Sequence, residues 1–246
     1  MQERQLIRVL GPIDVMTPAG VITVGGRRVR ALLGALVISA GHAVPIDHLR
    51  QVLWGDHPPK SADNTLQSYV SHLRRVLGVE VVLRVDHSYE LEVGAHDIDA
   101  RLFEELLTSA TDARAEPERC RALALEALRL WRGRPFGDLA DDDPFRLEAY
   151  RLDELRVTAM ELSIEAELAL GHHELVVGEL ENGVEEHPYR ERLWYLLIEA
   201  LERGDRRVEA LRTCQRLRDV LADVGVDVGS EVAELEQRSL AHGEHR

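Results

Sequence analysis

The stretch VLWGDHPPKSADNTLQSYVSHLRRVLG, residues 52–78, decides the fold of this chain. Gly and Pro cluster at residues 55–59, and a periodic segment then runs from Ser61 and stops at Gly78. Ser is favoured immediately before a helix, and Gly is favoured immediately after one. The pattern therefore predicts a loop followed by a helix that ends near Leu77.

The predicted helix has an apolar face and a polar face. Its apolar residues recur at spacings of four, three and four, which places them on one side of a helix: Leu66, Val70, Leu73 and Leu77. A rotation of about 100° per residue places four polar residues opposite them. These are Asn64, Ser68, Ser71 and Arg75, with Thr65 and His72 beside them and Arg74 and Gln67 on the flanks.

This polar face fits the major groove of DNA. The helix contains no acidic residue after Asp63, and its small side chains allow close approach. Asn and Ser can hydrogen-bond to base edges, and Arg can bind guanine or phosphate. A solvent-exposed helix with a basic end would contain the same residues, so the helix alone leaves both interpretations open.

The neighbouring segments complete a recognisable order of elements. We predict strands at residues 6–10 and 21–24, helices at 28–40 and 46–54, and two further strands at 81–84 and 89–93 around a turn at 86–88. Two helices, a loop, a third helix and a hairpin form a winged helix-turn-helix. The third helix is then the recognition helix, and the hairpin with Arg84 is the wing.

From about residue 99 the chain has almost only helical periodicity. The predicted helices lie near residues 99–110, 117–131, 144–170, 173–186, 189–203, 206–222 and 230–240. One pair has the spacing of a tetratricopeptide repeat at Trp194, Leu197, Leu201, Ala210, Cys214 and Leu217, and a weaker copy lies 33 residues earlier. The predicted fold class is mostly α with a small β component. A winged helix-turn-helix at residues 1–96 precedes an all-α, tetratricopeptide-like domain at 97–246.

Charge is distributed unevenly along the chain. Residues 1–98 contain ten Arg or Lys and ten Asp or Glu, whereas the remainder contains twenty Arg and thirty-four acidic residues and so carries the whole net charge of −14. The acidic part would repel phosphate, and the neutral part can still present a local basic surface. Two cysteines and an amino terminus without an apolar leader predict a cytoplasmic protein with no membrane partner.

No arrangement of residues indicates catalysis. His172 and His173 are adjacent, so on a helix they point about 100° apart and do not converge on a metal. Gly25 and Gly26 lack the Lys and Ser or Thr of a phosphate-binding loop. The sequence predicts no enzyme, no catalytic residue, no cofactor and no metal.

On the N-terminal strand pair, residues 30–78 and the strand-turn-Tyr wing that follows, the chain resembles the Streptomyces antibiotic regulatory protein family. The similarity continues through ALRLWRGRPFGDLADDDPFRLEAYRLDELRVTAMELSIEAELALGHHELVVGELENGVEEHPYRERLW, which resembles the family's bacterial transcriptional activation domain. The amino-terminal domain of this family is an OmpR-type winged helix. The resemblance covers essentially the whole chain.

The resemblance implies a sequence-specific activator of a secondary-metabolite (antibiotic) gene cluster. Such proteins bind direct repeats in promoter DNA and recruit RNA polymerase holoenzyme, and self-association on the DNA stays open. By position in the motif, Thr65, Ser68, Ser71, His72, Arg74 and Arg75 would face DNA, together with Asn64 and the wing residue Arg84. The loop before the recognition helix would contact polymerase through Asp56, His57 and Lys60.

The wing departs from the family pattern. Family wings commonly have Arg, Pro and Gly before the Tyr, whereas this chain reads Arg84-Val85-Asp86-His87-Ser88-Tyr89. Asp86 would repel a phosphate, which leaves the minor-groove contact of the wing open. An alternative function is therefore a protein-interaction scaffold whose winged helix binds DNA non-specifically or not at all.

Overall fold

An antiparallel sheet of three short strands opens the structure, a computed structural model that describes residues 5–241. The strands are β1 (Leu6–Arg8), β2 (Asp14–Thr17) and β3 (Gly20–Thr23), in that order across the sheet. The sequence pattern predicted two strands here and missed β2. Aspartate is rare in strands. Asp14 in β2 forms an ion pair with Arg8, in which Oδ1 of Asp14 lies 2.5 Å from Nε of Arg8.

Three helices then form the helix-turn-helix. They are α1 (Arg27–Ile38), α2 (Ile46–Trp54) and α3 (Ala62–Leu77). Each predicted helix is confirmed to within two residues at either end. α3 begins after Ser61 and ends at Leu77. Gly78 follows it with a φ of 105°, a conformation that glycine adopts without strain. α1 packs against both α2 and α3.

A second small sheet forms the wing. Its strands are β4 (Val44–Pro45), β5 (Val82–Val85) and β6 (Ser88–Leu91), in the order β4-β6-β5. Val85 pairs with Ser88, so the turn contains two residues and not the predicted three, with Asp86 at a φ of 49°. Asp is one of the few residues other than Gly that tolerates this region. β4 was not predicted, because two residues carry no periodicity.

Seven further α-helices follow within the described residues, and the predicted mostly helical class is confirmed. They are α4 (Asp99–Asp112), α5 (Pro117–Leu128), α6 (Phe145–Ala169), α7 (His173–Glu186), α8 (Glu191–Arg203), α9 (Arg207–Ala222) and α10 (Ser230–Ala241). Each predicted helix is matched by one of these, with bounds that differ by at most about three residues.

The chain packs into two compact units that do not divide at residue 96. Within the described residues, one unit contains 5–108 together with 126–157, and the other contains 109–125 and 158–241. α4, α5 and α6 each contribute residues to both units. The division into functional domains at residues 1–96 and 97–246 stays a prediction.

A buried carboxylate anchors the end of β1 within the first unit. Asp99, at the start of α4, is fully buried. Its Oδ1 accepts a hydrogen bond from the backbone N–H of Val9 at 2.8 Å, and its Oδ2 accepts one from that of Leu10 at 3.1 Å. The carbonyls of the same two residues accept from the N–H groups of Phe136 and Arg132. Asp99 therefore ties the segment between β1 and β2 to the helical part of this unit.

The helices of the second unit pack in sequence order, α7 on α8 and α8 on α9. This stacking is the one that a tetratricopeptide-like array requires. Leu168 and Leu175 lie 33 residues before Leu201 and Val208, and the corresponding residues are similarly buried. Leu168 and Leu201 are both buried, whereas Leu175 and Val208 are 75% and 63% exposed.

Removing the Asp99 carboxylate should destabilise the fold. In Asp99→Ala the buried N–H groups of Val9 and Leu10 lose their acceptors, and an unsatisfied buried group of this kind costs about 1–3 kcal/mol. We expect a decrease of that order in the free energy of unfolding in urea at pH 7. The control is Asp112→Ala, an exposed aspartate, and an equal loss in both variants would contradict the prediction.

Asp99 should also make stability depend on pH. Burial raises its pKa from the ordinary 3.8 to about 6, although the N–H groups of Val9 and Leu10 and the charge of Arg132 act in the opposite direction. Between these two values the folded state binds more protons than the unfolded state, so this contribution to stability falls as pH rises from about 4 to about 6. The difference in unfolding free energy between wild type and Asp99→Ala should therefore shrink across this window, and a constant difference would refute the expectation.

Candidate nucleic-acid interface

The recognition helix α3 is oriented by its buried stripe. Leu66, Val70, Leu73 and Leu77 are all buried, and Tyr69 stacks on Trp54 of α2 with ring centroids 6.4 Å apart. Because burying this apolar face is favourable, the opposite face of α3 is directed to solvent. The structure thus gives α3 the two faces that its periodicity predicted.

The predicted DNA-facing residues differ in exposure. Asn64, Ser68, Ser71 and Arg75 are exposed, as is Gln67, whereas three others are half-buried: Thr65, His72 and Arg74. Gln67 was not among the predicted contacts. Its position on the flank was evident from the helical rotation, but its exposure depends on which elements pack beside it.

Three hydroxyl groups of α3 donate hydrogen bonds to backbone carbonyls four residues earlier in the chain. Thr65 Oγ1 donates to the carbonyl of Ser61 at 2.9 Å, and Ser68 Oγ donates to that of Asn64 at 2.9 Å. Ser71 Oγ donates to the carbonyl of Gln67 at 2.8 Å. This bond to the residue four positions earlier is common for Ser and Thr within helices. These residues offer small volume and oxygen lone pairs to a ligand.

The two arginines at the end of α3 have different surroundings. Arg74 Nε donates to the carbonyl of Val82 at 2.8 Å. β5 is an edge strand of its sheet, so Arg74 binds a backbone group on this edge and connects α3 to the base of the wing. Arg75 is exposed and, within residues 5–241, forms no ion pair or side-chain hydrogen bond.

A cleft separates α3 from the wing. Its volume is about 500 Å³, and its lining includes Arg50, Gln67, Arg84 and His87. Arg84 is exposed on β5, and its Nε lies 3.4 Å from the carbonyl oxygen of Asp86 at the turn. The guanidinium of Arg84 therefore lies close to Asp86, where the wing departs from the family pattern.

Arg50 is neutralised inside this cleft. Its Nη1 lies 3.0 Å from Asp47 Oδ1, and its Nη2 contacts Asp63 Oδ1. Both carboxylates line the same cleft. Arg50 therefore holds the acidic residues at the start of α2 and α3 and adds little net positive charge.

Two arginines of α1 are also paired within the first unit. Arg30 Nη2 lies 2.7 Å from Asp138 Oδ2, and Arg27 contacts Asp142. The pKa of Asp138 is lowered, chiefly by its hydrogen bond from Arg30. These arginines belong to the basic residues of the first 98 residues, and their charge is balanced by acidic residues far along the chain.

The loop before α3 presents its charged side chains to solvent. Asp56, His57 and Lys60 are all exposed. Gln51 Nε2 donates to Asp56 Oδ1 at 3.3 Å, and the backbone N–H of His57 donates to Trp54. The loop is therefore attached to the end of α2 while its polar side chains remain accessible.

The part of the chain that the structure describes contains no cluster of three or more His, Cys, Asp or Glu residues placed to hold a metal ion. Cys120 and Cys214 are both buried and unbonded to another cysteine. None of the helices between residues 5 and 241 is long and apolar enough to cross a membrane.

Two family models match the chain. The model described as "Bacterial transcriptional activator domain" matches residues 98–240, which is more than half of the chain. The model described as "Transcriptional regulatory protein, C terminal" matches residues 24–85 and includes α1, α2 and α3.

Similar proteins are known from Streptomyces and Mycobacterium. The regulatory protein AfsR of Streptomyces griseus is 36% identical over 239 residues, covering 94% of this chain and 24% of AfsR. The regulatory protein DnrI of Streptomyces peucetius is 32% identical over 250 residues, covering 95% of this chain and 91% of DnrI. A solved structure of Mycobacterium tuberculosis EmbR in complex with a low-affinity phosphopeptide is similar at a TM-score of 0.92 and 34% identity, covering 98% of this chain and 66% of that one.

The chain spans less than two thirds of AfsR and of EmbR, whereas its alignment with DnrI extends over nearly the full length of both proteins. The activator-domain model and this alignment agree with the resemblance found in the sequence. The chain belongs to the Streptomyces antibiotic regulatory proteins, a family of transcriptional regulators that join an OmpR-type winged helix to a bacterial transcriptional activator domain.

Proposed function

We propose that this protein is a sequence-specific DNA-binding activator of a secondary-metabolite gene cluster. The observation that carries the proposal is the exposed polar face of α3, which has no acidic residue after Asp63 and lies next to a β-hairpin wing. Membership of a family of transcriptional regulators supports the same function. The protein acts by binding, without catalysis and without a cofactor, and it acts in the cytoplasm.

In this proposal α3 enters the major groove of promoter DNA. The residues that contact DNA are Asn64, Thr65, Ser68, Ser71, His72, Arg74, Arg75 and, on the wing, Arg84. Arg75 has the exposure that a phosphate or guanine contact requires. Arg74 has a second task, because its bond to Val82 sets the position of the wing relative to α3.

The two functional domains then divide the work. Residues 1–96 bind direct repeats in the promoter, and residues 97–246 support activation. RNA polymerase holoenzyme is contacted by the loop before α3 through Asp56, His57 and Lys60, whose exposure supports this role. Direct repeats favour side-by-side copies on DNA over a two-fold symmetric dimer.

A second candidate function is an interaction scaffold with a weak or non-specific winged helix. It is favoured by the pairing of Arg27 and Arg30 with acidic residues and by Asp86 at the tip of the wing. Footprinting on promoter fragments at two salt concentrations, with competitor DNA, separates the two functions. A protected pair of repeats that withstands competitor supports the activator, and binding without a footprint supports the scaffold.

Arg75→Ala should weaken binding to promoter DNA and lower the dependence of affinity on salt. Loss of one phosphate contact reduces the slope of log affinity against log salt by about one unit. Titrations by fluorescence anisotropy at several salt concentrations would measure both quantities. Arg129→Ala, at an exposed arginine outside the winged helix, is the matched control, and equal affinities for wild type and Arg75→Ala would contradict the assignment.

Arg74→Ala should weaken DNA binding and also loosen the wing, since Val82 loses its partner. Amide hydrogen exchange in β5 and β6 should accelerate in Arg74→Ala and stay unchanged in Arg75→Ala. Accelerated exchange in both variants, or in neither, would remove the positioning role of Arg74.

Lys60→Glu should impair activation more than DNA binding. Lys60 is exposed in the loop before α3, where reversed charge changes a surface for a protein partner. The comparison is between promoter affinity and transcript yield in a purified system with polymerase, and Asp56→Arg tests the same loop. Parallel losses in the two measurements would argue against a polymerase contact.

A further inference from the structure

The first two turns of α3 contain five polar residues with hydrogen-bonding side chains. They are Asp63, Asn64, Thr65, Gln67 and Ser68. In helix-turn-helix proteins the amino-terminal residues of the recognition helix contact base edges. Which of these five can read DNA depends on which donors and acceptors the fold has left uncommitted.

Three of the five are engaged in the structure. The carboxylate of Asp63 is in contact with Arg50. The hydroxyls of Thr65 and Ser68 donate to backbone carbonyls of their own helix at 2.9 Å. These residues therefore have no free donor for a base.

Two amide side chains remain. Asn64 and Gln67 are both exposed, and in the part of the chain that the structure describes neither side chain has a hydrogen-bond partner. Gln67 lines the cleft between α3 and the wing, beside Asp47 and Asp63. Since Arg50 binds both of those carboxylates, the amide of Gln67 is left available.

Each amide offers one acceptor and two donors, which is the pattern that matches adenine. The amide N–H donates to N7 of adenine, and the amide oxygen accepts from its N6 amino group. Residues three apart on a helix have Cβ atoms about 5–6 Å from each other, a distance that suits neighbouring base pairs.

We propose that Asn64 and Gln67 form an adenine-reading pair that determines the sequence specificity of this protein. Each residue reads one A·T pair from the major groove, and Ser68 and Ser71 are small spacers that allow the close approach. The inference rests on the proposed DNA-binding function. It adds Gln67, on the flank of the polar face of α3, to the proposed DNA contacts.

The experiment selects preferred sites for the full chain from a pool of random DNA duplexes. The preferred duplex is then titrated with wild type and with Gln67→Met, which keeps the length and neutral charge of the side chain but removes the amide. We expect affinity for the preferred duplex to fall about tenfold to a hundredfold. Affinity for non-specific DNA, and its salt dependence, should stay the same.

A second measurement removes the acceptor on the DNA. Replacing the identified adenine by 7-deazaadenine should weaken wild type by a similar factor and should have little further effect on Gln67→Met. This arm uses the wild-type protein, so it remains informative if a variant folds poorly. The same two measurements apply to Asn64. One is the titration of Asn64→Ala, and the other replaces the adenine that Asn64 contacts by 7-deazaadenine.

A matched control lies outside the winged helix. Gln215→Met, the same change at an exposed glutamine of α9, should retain the wild-type affinity and sequence preference to within about twofold. Gln67→Glu, which replaces the donor by an acceptor, should shift the preference at one position from adenine to cytosine.

The outcomes separate this inference from the function on which it rests. If wild type selects no sequence, the proposed specific DNA binding fails and the pair fails with it. If wild type selects a sequence and the variants of Asn64 and Gln67 select the same one with unchanged affinity, only the reading pair is overturned. Loss of preference in Gln215→Met, to the extent seen in Gln67→Met, would also overturn it.

Discussion

The first unit depends on two hydrogen bonds that the carboxylate of Asp99 accepts. The donors are the backbone N–H groups of Val9 and Leu10, two buried residues that follow β1. A buried backbone donor without a partner is costly, so this segment requires an acceptor at that place. Asp99 provides both acceptors from the first residue of α4. The burial that makes the bonds valuable also raises its pKa to about 6, which still leaves it ionised at neutral pH.

The recognition helix combines structural and ligand-facing roles within 16 residues. Its apolar stripe fixes the orientation, and Arg74 holds it to Val82 at the base of the wing. Three of its hydroxyls donate to the helix backbone. The polar side chains of α3 that have no internal partner in the described residues are therefore fewer than its polar residues.

Ion pairs with aspartates reduce the positive charge that the arginines of α1 and α2 present to solvent. Asp138 and Asp142 take up Arg30 and Arg27, and Arg50 lies between Asp47 and Asp63. The basic residues of α1 and α2 are thereby largely neutralised. The positive residues without such partners, Arg75 among them, are left to give a local positive potential. Exposed pairs of this kind contribute little stability, and their main effect is on the surface potential.

Periodicity and breaker residues in the sequence were enough to predict each α-helix found between residues 5 and 241, and the two faces of α3. Both depend on residues within a few turns of each other, so local pattern contains the information. β2 was missed because it begins with an aspartate, which is paired with Arg8 in the fold, and β4 was missed because two residues show no periodicity. The bond from Arg74 to Val82, the pairing of Arg27 and Arg30, and the availability of Gln67 were also beyond the sequence. Each depends on which distant groups meet in three dimensions, and packing alone sets those distances.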